Sequence, residues 1–292
     1  MSKIWVTNES SSFAKSFADW CKVTGKHQFV NSLENDEYDY FRQDNYFRSK
    51  EIDIFDPTLP TMISRSGAEL IIHQLPITPE RSLTHPDYAL RNNIEGSFYV
   101  IQAAKEVGIP IFFITTKNLN SEIDNNVYNI TAGTVERLLD TLDVEHISIV
   151  PPTIYGPQFD EGVSGLIKTA LGKKESVQLN INPDVQHAYM YVDDFFDALD
   201  VVAGSCFDGE YDIINQSVVE ILPSLDKYIY LDDIFQILEE ESYCLSYDIE
   251  PQYDRQSEEQ NIKNNVSTLY GWKEKFNIKT GIEYFISKVK NE

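Results

Sequence analysis

The stretch KIWVTNESSSFAKSFADWCKV, residues 3–23, decides the fold class. Its first five residues, Lys3–Thr7, are largely apolar and β-prone and predict a buried strand. A polar turn follows, and apolar residues then recur at helical spacing over Phe13–Val23, which predicts a helix. A strand, a tight turn and a helix in this order are typical of the first half of a βαβ unit.

The same alternation continues through the first half of the chain. Short apolar runs predict further strands at 27–30, 51–54, 69–73, 110–115 and 146–150. Helical spacing predicts helices at 88–107 and 130–142, with a long loop before the first of them. Buried strands that alternate with helices indicate parallel βαβ units. The sequence therefore predicts an α/β fold built on a doubly wound parallel sheet.

The second half is less regular. Pro151 and Pro152 break the pattern, so we expect one domain at 1–150 and a smaller α/β region at 151–292, interleaved with the first. Strands are predicted at 177–180 and 210–214, and helices at 163–171, 192–202, 232–240 and 280–289. Asp193 and Asp194 open the second of these helices, where acidic side chains suit the positive helix N-terminus.

Charge argues against two kinds of partner. The 292 residues include 24 Lys and Arg against 47 Asp and Glu, a formal net charge of −23. A surface this acidic repels phosphate backbones and anionic lipids, so we expect neither nucleic acid nor membrane as a partner. No apolar stretch approaches the ~18–20 residues that a membrane-spanning helix needs.

The cysteines give no sign of a disulfide framework or a metal site. Cys21, Cys206 and Cys244 lie far apart, without a CxxC pair. Such usage fits a reducing compartment, and the first residues have no signal-peptide pattern. We therefore expect a cytoplasmic protein that holds no metal.

Several short motifs, taken in order, resemble one enzyme family. They are Asn8, Ser11 and Ala14 at GxxGxxG spacing, HQLP at 73–76, NIEGS at 93–97, FITT at 113–116, Tyr128, TIYGP at 153–157, YVDDF at 191–195 and LYGWKEKFNIKTGIEYF at 269–285. In this order and spacing the chain is similar to the extended short-chain dehydrogenase/reductases, the NAD-dependent nucleotide-sugar epimerase/dehydratase group. The resemblance covers nearly the whole chain. It implies a Rossmann-like domain that binds NAD or NADP and a smaller region that binds a nucleotide sugar.

The resemblance also implies a set of catalytic residues. Tyr128 stands at the place of the tyrosine that exchanges a hydroxyl proton with the sugar, and Thr116 at that of the Ser or Thr that shares the hydroxyl. The lysine expected four residues after the tyrosine is Ala132 here. Since a phenol with a pKa of about 10 is a poor base at pH 7, another cation has to act, and Lys117 is the candidate.

The cofactor residues implied by the resemblance depart from the family pattern in part. The set is Thr7, Asn8, Ser11, Phe13, Ala14, Asn31, Asp53, Leu75 and Asn93. Asn8 replaces a glycine, and Asn tolerates the left-handed backbone better than most residues. Glu9 places a carboxylate beside the turn that receives a diphosphate, which costs affinity unless the side chain turns outward. Asn31 stands where an acid often holds the adenosine ribose, so the choice between NAD and NADP stays open.

The expected substrate side shows similar replacements. Thr153 and Tyr155 lie in the segment that lines the nucleotide-sugar pocket in the family, and His187 stands where many members have an arginine that binds the diphosphate. Val150 stands where another arginine is common. A histidine lacks the bidentate fork of arginine and is a weaker partner for phosphate.

These replacements leave three functional hypotheses open. The chain is an epimerase/dehydratase-type enzyme with an altered site, a catalytically silent member that binds a dinucleotide or a nucleotide sugar, or a structural partner of another protein. The resemblance favours a homodimer through the helices near 88–107 and 128–142.

Overall fold

A computed structural model describes residues 1–30, 53–115, 126–175, 186–207, 218–223, 228–241, 243 and 271–290. The predicted strands at 177–180 and 210–214 and Cys244 lie outside these ranges. The chain divides into two compact units. Unit 1 is Met1–Val150 with Tyr211–Val218, and unit 2 is Pro151–Glu210 with Val219–Glu292.

Unit 1 is built on a parallel sheet. Its strands are β1 (Ser2–Val6), β2 (His27–Phe29), β3 (Leu70–Gln74), β4 (Ile111–Ile114) and β5 (His146–Val150), and their order is β2-β1-β3-β4-β5. The short strand β8 (Val218–Glu220) begins at the last residue of unit 1. Every pair from β2 to β5 is parallel. Because β2 and β3 flank β1 on opposite sides, the strand order reverses at β1. The predicted doubly wound parallel α/β fold is confirmed.

The strand predicted at 51–54 is wrong at its two described positions, Asp53 and Ile54, which lie in a turn. The Asp53 carboxylate accepts the backbone N–H of Phe55 at 3.0 Å, and the Asp53 carbonyl accepts that of Asp56 at 2.9 Å. Aspartate offers the backbone these local partners in place of a neighbouring strand.

Six α-helices belong to the described part of unit 1: α1 (Ser12–Thr24), α2 (Leu59–Ser66), α3 (Pro79–Thr84), α4 (Pro86–Ala89), α5 (Ser97–Val107) and α6 (Val127–Thr141). The π-helical segment Leu90–Gly96 joins α4 to α5, and the backbone stays right-handed at both joints. The helix predicted at 88–107 is therefore one continuous helix with a π segment inside it. The long loop predicted before it contains α3.

The core of unit 1 lies on both faces of the sheet. On one face Trp5, Ile71 and Phe113 pack in a single cluster with side chains from α2, α5 and α6. The alternate strand residues Ile4, Val6 and Ile72 are also buried. Burial on both faces explains why these strands have continuous apolar sequences.

The described part of unit 2 contains a small mixed sheet and four helices. Strand β7 (His187–Tyr191) pairs in parallel with β6 (Thr153–Tyr155) and antiparallel with β9 (Tyr228–Ile229). The helices are α7 (Gly162–Ala170), α8 (Val192–Phe207), α9 (Leu231–Glu240) and α10 (Ile278–Lys290). They confirm the four predicted helices within a few residues at each end.

No helix in the described ranges is both long enough and apolar enough to cross a bilayer.

Candidate functional site

The turn between β1 and α1 adopts a backbone conformation that usually requires glycine, although asparagine occupies the position. Asn8 has φ +58°, in the left-handed region, and its carbonyl accepts the N–H of Ser11 at 2.9 Å. Ser11 is the N-cap of α1, where its hydroxyl accepts the N–H of Ala14 at 3.1 Å. Ala14 is completely buried, as close packing of the helix on the sheet requires.

Gln74 reaches across this turn from the end of β3. Its side-chain amide donates to the Ser11 hydroxyl at 2.6 Å and lies 3.4 Å from the carbonyl oxygen of Thr7. Gln74 is not among the site residues that the sequence predicts. Its position at the carboxyl end of a strand beside the reversal of strand order is the signal that indicates it.

His73 is buried beneath the turn and hydrogen-bonded at both ring nitrogens. Its Nδ1 lies 2.9 Å from the Thr7 hydroxyl, and its Nε2 lies 2.7 Å from the Ser97 hydroxyl. Ser97 donates its own proton to the carbonyl of Asn93, so His73 carries its proton on Nε2 and accepts from Thr7 at Nδ1. Complete burial lowers the pKa of His73 to about 3, which keeps the ring neutral.

Asn93, on the π segment, links the loop after β3 to α6. Its side-chain oxygen Oδ1 accepts the N–H of Ile77 at 2.9 Å, and its side-chain amide Nδ2 donates to the carbonyl of Ile77 at 3.3 Å and to the hydroxyl of Thr131 at 3.1 Å. Thr131 in turn donates to the carbonyl of Tyr128 at 2.8 Å. The buried Asn93 therefore helps to hold the first turn of α6, where Tyr128 stands.

Tyr128 and Ala132 lie one helical turn apart on α6. The Tyr128 ring is half-buried and packs against the core cluster of unit 1, of which Ala132 is a fully buried member. The place of the family lysine is thus part of an apolar core. Thr116, Lys117 and Asn31 lie outside the described residues.

The remaining predicted cofactor residues of unit 1 are distributed between core and surface. Thr7, Phe13 and Leu75 are buried, whereas Asp53 is exposed at the start of its turn. Within that turn, Ile54 lines a cavity at the carboxyl end of β1. Trp5, Thr7, Asn8, Glu9, Leu59, Ile63 and Val100 complete the described lining. Glu9 is the charged residue of this described lining.

The three predicted substrate residues lie on one small sheet in unit 2. Thr153 and Tyr155 pair with Tyr189 and Tyr191, so both share a face with His187. Tyr155 is buried at 1 % exposure, and its ring meets that of Tyr191 at 5.6 Å. Thr153 and His187 are partly exposed.

Asp193 and Asp194, at the start of α8, have different surroundings. Asp194 accepts the backbone N–H groups of Lys275 and Phe276, each at 2.9 Å, which fastens the segment before α10 to α8. Burial raises the pKa of Asp193 to about 6, although Lys288 opposes the shift. Asp194 therefore has a structural role, and Asp193 is a partly buried acid.

A nicotinamide dinucleotide is the cofactor that the resemblance implies, and the β1–α1 turn fits it. The positive φ of Asn8 reproduces the tight turn, and the fully buried Ala14 reproduces the close helix packing. The start of α1 supplies backbone N–H groups for a diphosphate.

The family model described as "NAD dependent epimerase/dehydratase family" matches residues 23–215, more than half of the chain. The chain belongs to this family, which confirms the resemblance. No curated protein matches it.

Solved structures with the same fold cover nearly the whole chain. UDP-glucuronic acid 4-epimerase from Bacillus cereus, in complex with UDP-glucuronic acid and NAD, is 16% identical with a TM-score of 0.73, over 99% of each chain. L-threonine dehydrogenase from Phytophthora infestans is 15% identical with a TM-score of 0.71, again over 99% of each chain. RMD from Pseudomonas aeruginosa, complexed with NADPH, is 15% identical with a TM-score of 0.68, over 100% of each chain. Identities this low establish the fold alone.

Proposed function

We propose that this chain binds a nicotinamide dinucleotide in unit 1 and a nucleotide sugar in unit 2, and that it acts on the sugar by epimerase/dehydratase-type chemistry with an altered site. The observation that carries the proposal is Asn8, whose left-handed backbone takes the place of a glycine in front of the Ser11 cap. A non-glycine residue keeps this conformation when its surroundings require it. A turn of this shape at the start of α1 suits a diphosphate.

Each residue of the proposed site has a separate role in cofactor binding or proton transfer. Asn8, Ser11 and Gln74 border the cofactor diphosphate, and Tyr128 takes or returns the hydroxyl proton of the sugar. Thr116 shares that hydroxyl, and Lys117 supplies the positive charge that Ala132 does not. When bound, the nicotinamide ring supplies reversible hydride acceptance. Because His73 is neutral, buried and hydrogen-bonded at both ring nitrogens, its role is to hold the turn.

On the substrate side, Thr153 and His187 are the partly exposed members of the predicted set, and we assign them to the nucleotide sugar. Tyr155 is buried, and its packing on Tyr191 supports these two residues. UDP-glucuronic acid, the ligand of the Bacillus cereus relative, is the first substrate to test.

A second function is favoured by Ala132. This residue is fully buried in the apolar cluster of unit 1, so a cation at its place has no room in the described structure. If Lys117 does not act, the Tyr128 phenol keeps its proton at pH 7. The chain is then a silent member that binds the dinucleotide and acts as a regulatory partner.

Calorimetric titration with NAD, NADH, NADP and NADPH tests the shared part of both functions. Micromolar affinity for at least one of them supports dinucleotide binding, and absence of binding by all four overturns it. Incubation of the loaded protein with UDP-glucuronic acid then separates the two functions. We expect turnover that Tyr128→Phe abolishes and that the control Tyr99→Phe, at an exposed tyrosine, leaves unchanged. Dinucleotide binding without turnover of any nucleotide sugar supports the silent member.

We also propose a homodimer through the helices of unit 1. Tyr88 on α4, Tyr99 on α5 and Ile130 on α6 are large side chains with at least 40% exposure, as expected for a face that a second copy covers. Light scattering should give twice the mass of the chain, and Ile130→Glu should give a monomer. Val23→Glu, at an exposed valine on α1, is the control that should remain dimeric.

A further inference from the structure

A turn covers the carboxyl end of β1 in this structure. Ile54 of this turn lines the cavity there, and the other apolar residues of the described lining come from β1, α2 and α5: Trp5, Leu59, Ile63 and Val100. The cavity has room for about one water molecule. The end of β1 is therefore closed to a ligand of the size of a nucleotide.

This closure conflicts with the place where a doubly wound fold binds its ligand. Such folds bind ligands in the crevice outside the carboxyl ends of the strands, at the point where the strand order reverses, and here the order reverses at β1. A dinucleotide whose diphosphate meets the start of α1 extends across this crevice. Some part of the covering therefore has to move before a dinucleotide binds.

The turn Asp53–Asp56 is the part of the covering that is free to move. The Phe55 N–H donates to the Asp53 carboxylate at 3.0 Å, and the Asp56 N–H donates to the Asp53 carbonyl at 2.9 Å. Within the described ranges, no hydrogen bond joins this turn to a strand of the sheet. The β1–α1 turn, by contrast, is fixed by the Ser11 cap and by the hydrogen bond from Gln74. The other apolar lining residues are buried on a strand or a helix.

Side-chain packing on the π segment holds this turn in place. A Cβ atom on Gly96 would collide with Cδ1 of Ile54 and lie 3.6 Å from the ring carbon Cζ of Phe55, so the bare backbone of Gly96 makes room for both side chains. The guanidinium of Arg91 lies 5.5 Å from the centre of the Phe55 ring, a cation–π contact. Ile54 and Phe55 are only partly buried. The contacts with the π segment therefore stabilise the closed position.

We infer that the turn Asp53–Asp56 is a lid, which covers the end of β1 in the free chain and moves away when a dinucleotide binds. The inference rests on the dinucleotide function proposed above and deepens it, because it identifies a conformational step that regulates the same site. The apparent affinity is then the affinity of the open form reduced by the fraction of molecules that are open. Substitutions that weaken the closed position should tighten binding.

The experiment measures the affinities of NAD, NADH, NADP and NADPH by calorimetry and the stability of the free protein by urea denaturation. Phe55→Ala removes the ring that packs on Arg91, and Gly96→Ala fills the space that Ile54 occupies. We expect both variants to be less stable than the unaltered protein and yet to bind at least threefold more tightly the dinucleotide that the unaltered protein binds best. A merely structural role of these contacts would lower stability without tightening binding.

Val135→Ala is the control for a general loosening of the core. Val135 is fully buried on α6 in the same apolar cluster, but it does not line the cavity. This variant should be less stable and should bind with unchanged affinity. Circular dichroism establishes that each variant is folded. Because Phe55 is only partly buried, Phe55→Ala keeps the test available if Gly96→Ala does not fold.

The outcomes separate the lid from the dinucleotide function. Equal or weaker binding by either folded lid variant overturns the lid while the function stands, and so does tightening by Val135→Ala as large as that of the lid variants. Binding by the lid variants alone supports the lid and overturns the dinucleotide function of the unaltered chain. Absence of binding by every form overturns both.

Discussion

A Cβ atom on Gly281 would collide with the hydroxyl oxygen of Tyr155 and lie 3.1 Å from its ring carbon Cζ. The hydroxyl of Tyr155 also lies 3.4 Å from the carbonyl oxygen of Ile278, on the first turn of the same helix. The GIEYF segment of α10 is therefore matched to the TIYGP segment of β6. Two motifs that lie far apart in the sequence are complementary surfaces in unit 2.

Gly281→Ala should lower the free energy of unfolding by about 1–3 kcal/mol, because the buried tyrosine ring has to move to admit a methyl group. Gly204→Ala is the matched control, since a Cβ atom at Gly204 of α8 meets no atom within 4 Å. That change should stabilise the protein by up to about 1 kcal/mol through helix propensity. Urea denaturation measures both, and equal effects of the two substitutions would contradict the predicted collision.

The His73 network predicts a dependence of stability on pH. The pKa of His73 is about 3 in the folded chain and about 6.5 when unfolded, so below pH 6.5 the unfolded state binds one more proton than the folded state. Stability should therefore fall with decreasing pH by up to about 1.4 kcal/mol per pH unit from this residue alone.

The measurement compares the unaltered protein with His73→Asn. At pH 7 the variant should be less stable, because Thr7 and Ser97 lose a buried partner. The difference should shrink by about 2–3 kcal/mol between pH 6.5 and 4.5. Nitrogen NMR should find the His73 proton on Nε2 throughout this range. A ring that titrates near pH 6.5 would contradict the assigned network.

How far the sequence predicts this structure depends on whether the deciding contacts are local. The β1–α1 turn is predictable, because Asn8 tolerates the left-handed region and Ser11 caps a helix by rules that act within a few residues. The strand predicted at 51–54 is wrong at its described positions, Asp53 and Ile54, because apolar content alone does not reveal the Asp53 turn. Strands β6, β7 and β9 span two to five residues and depend on pairing with distant segments, which local periodicity does not encode.

The residues of the candidate site likewise fall into those that the sequence predicts and those that depend on the fold. The motif order locates Tyr128, Asn93 and the turn, whereas the bond from Gln74 to Ser11 joins residues 63 positions apart and emerges only from the fold. The burial of Ala132 likewise depends on how α6 packs on the sheet.

Asp193 predicts the opposite pH dependence from His73. Its pKa is about 6, above the unfolded value of about 3.9, so its contribution to stability decreases as pH rises from about 4 to 6 and is constant above that. Asp193→Asn should therefore stabilise the protein at pH 7 by about 1 kcal/mol, a figure reduced for the partial exposure of the side chain. The gain should disappear near pH 4.

Thermal unfolding at pH 4, 5.5 and 7 measures the effect, with Asp19→Asn as control for the overall loss of one negative charge. Asp19 lies on α1 with more than half of its side chain exposed. A stability loss at all three pH values would mean that the Asp193 charge contributes more through the N-terminus of α8 than its desolvation removes.

The hydrogen bond from Gln74 to Ser11 holds the turn in front of α1. Gln74→Ala removes the donor that fixes the Ser11 hydroxyl, so the turn in front of α1 should be less ordered before a dinucleotide binds. We expect a loss of about 1 kcal/mol in unfolding free energy and a three- to tenfold weaker affinity for NADH, about the value of one hydrogen bond. Ser10→Ala should change neither, because the Ser10 hydroxyl lies 3.5 Å from the Asn8 side chain at an exposed position. Tighter NADH binding by Gln74→Ala would instead mean that Gln74 covers the diphosphate position and has to leave it on binding.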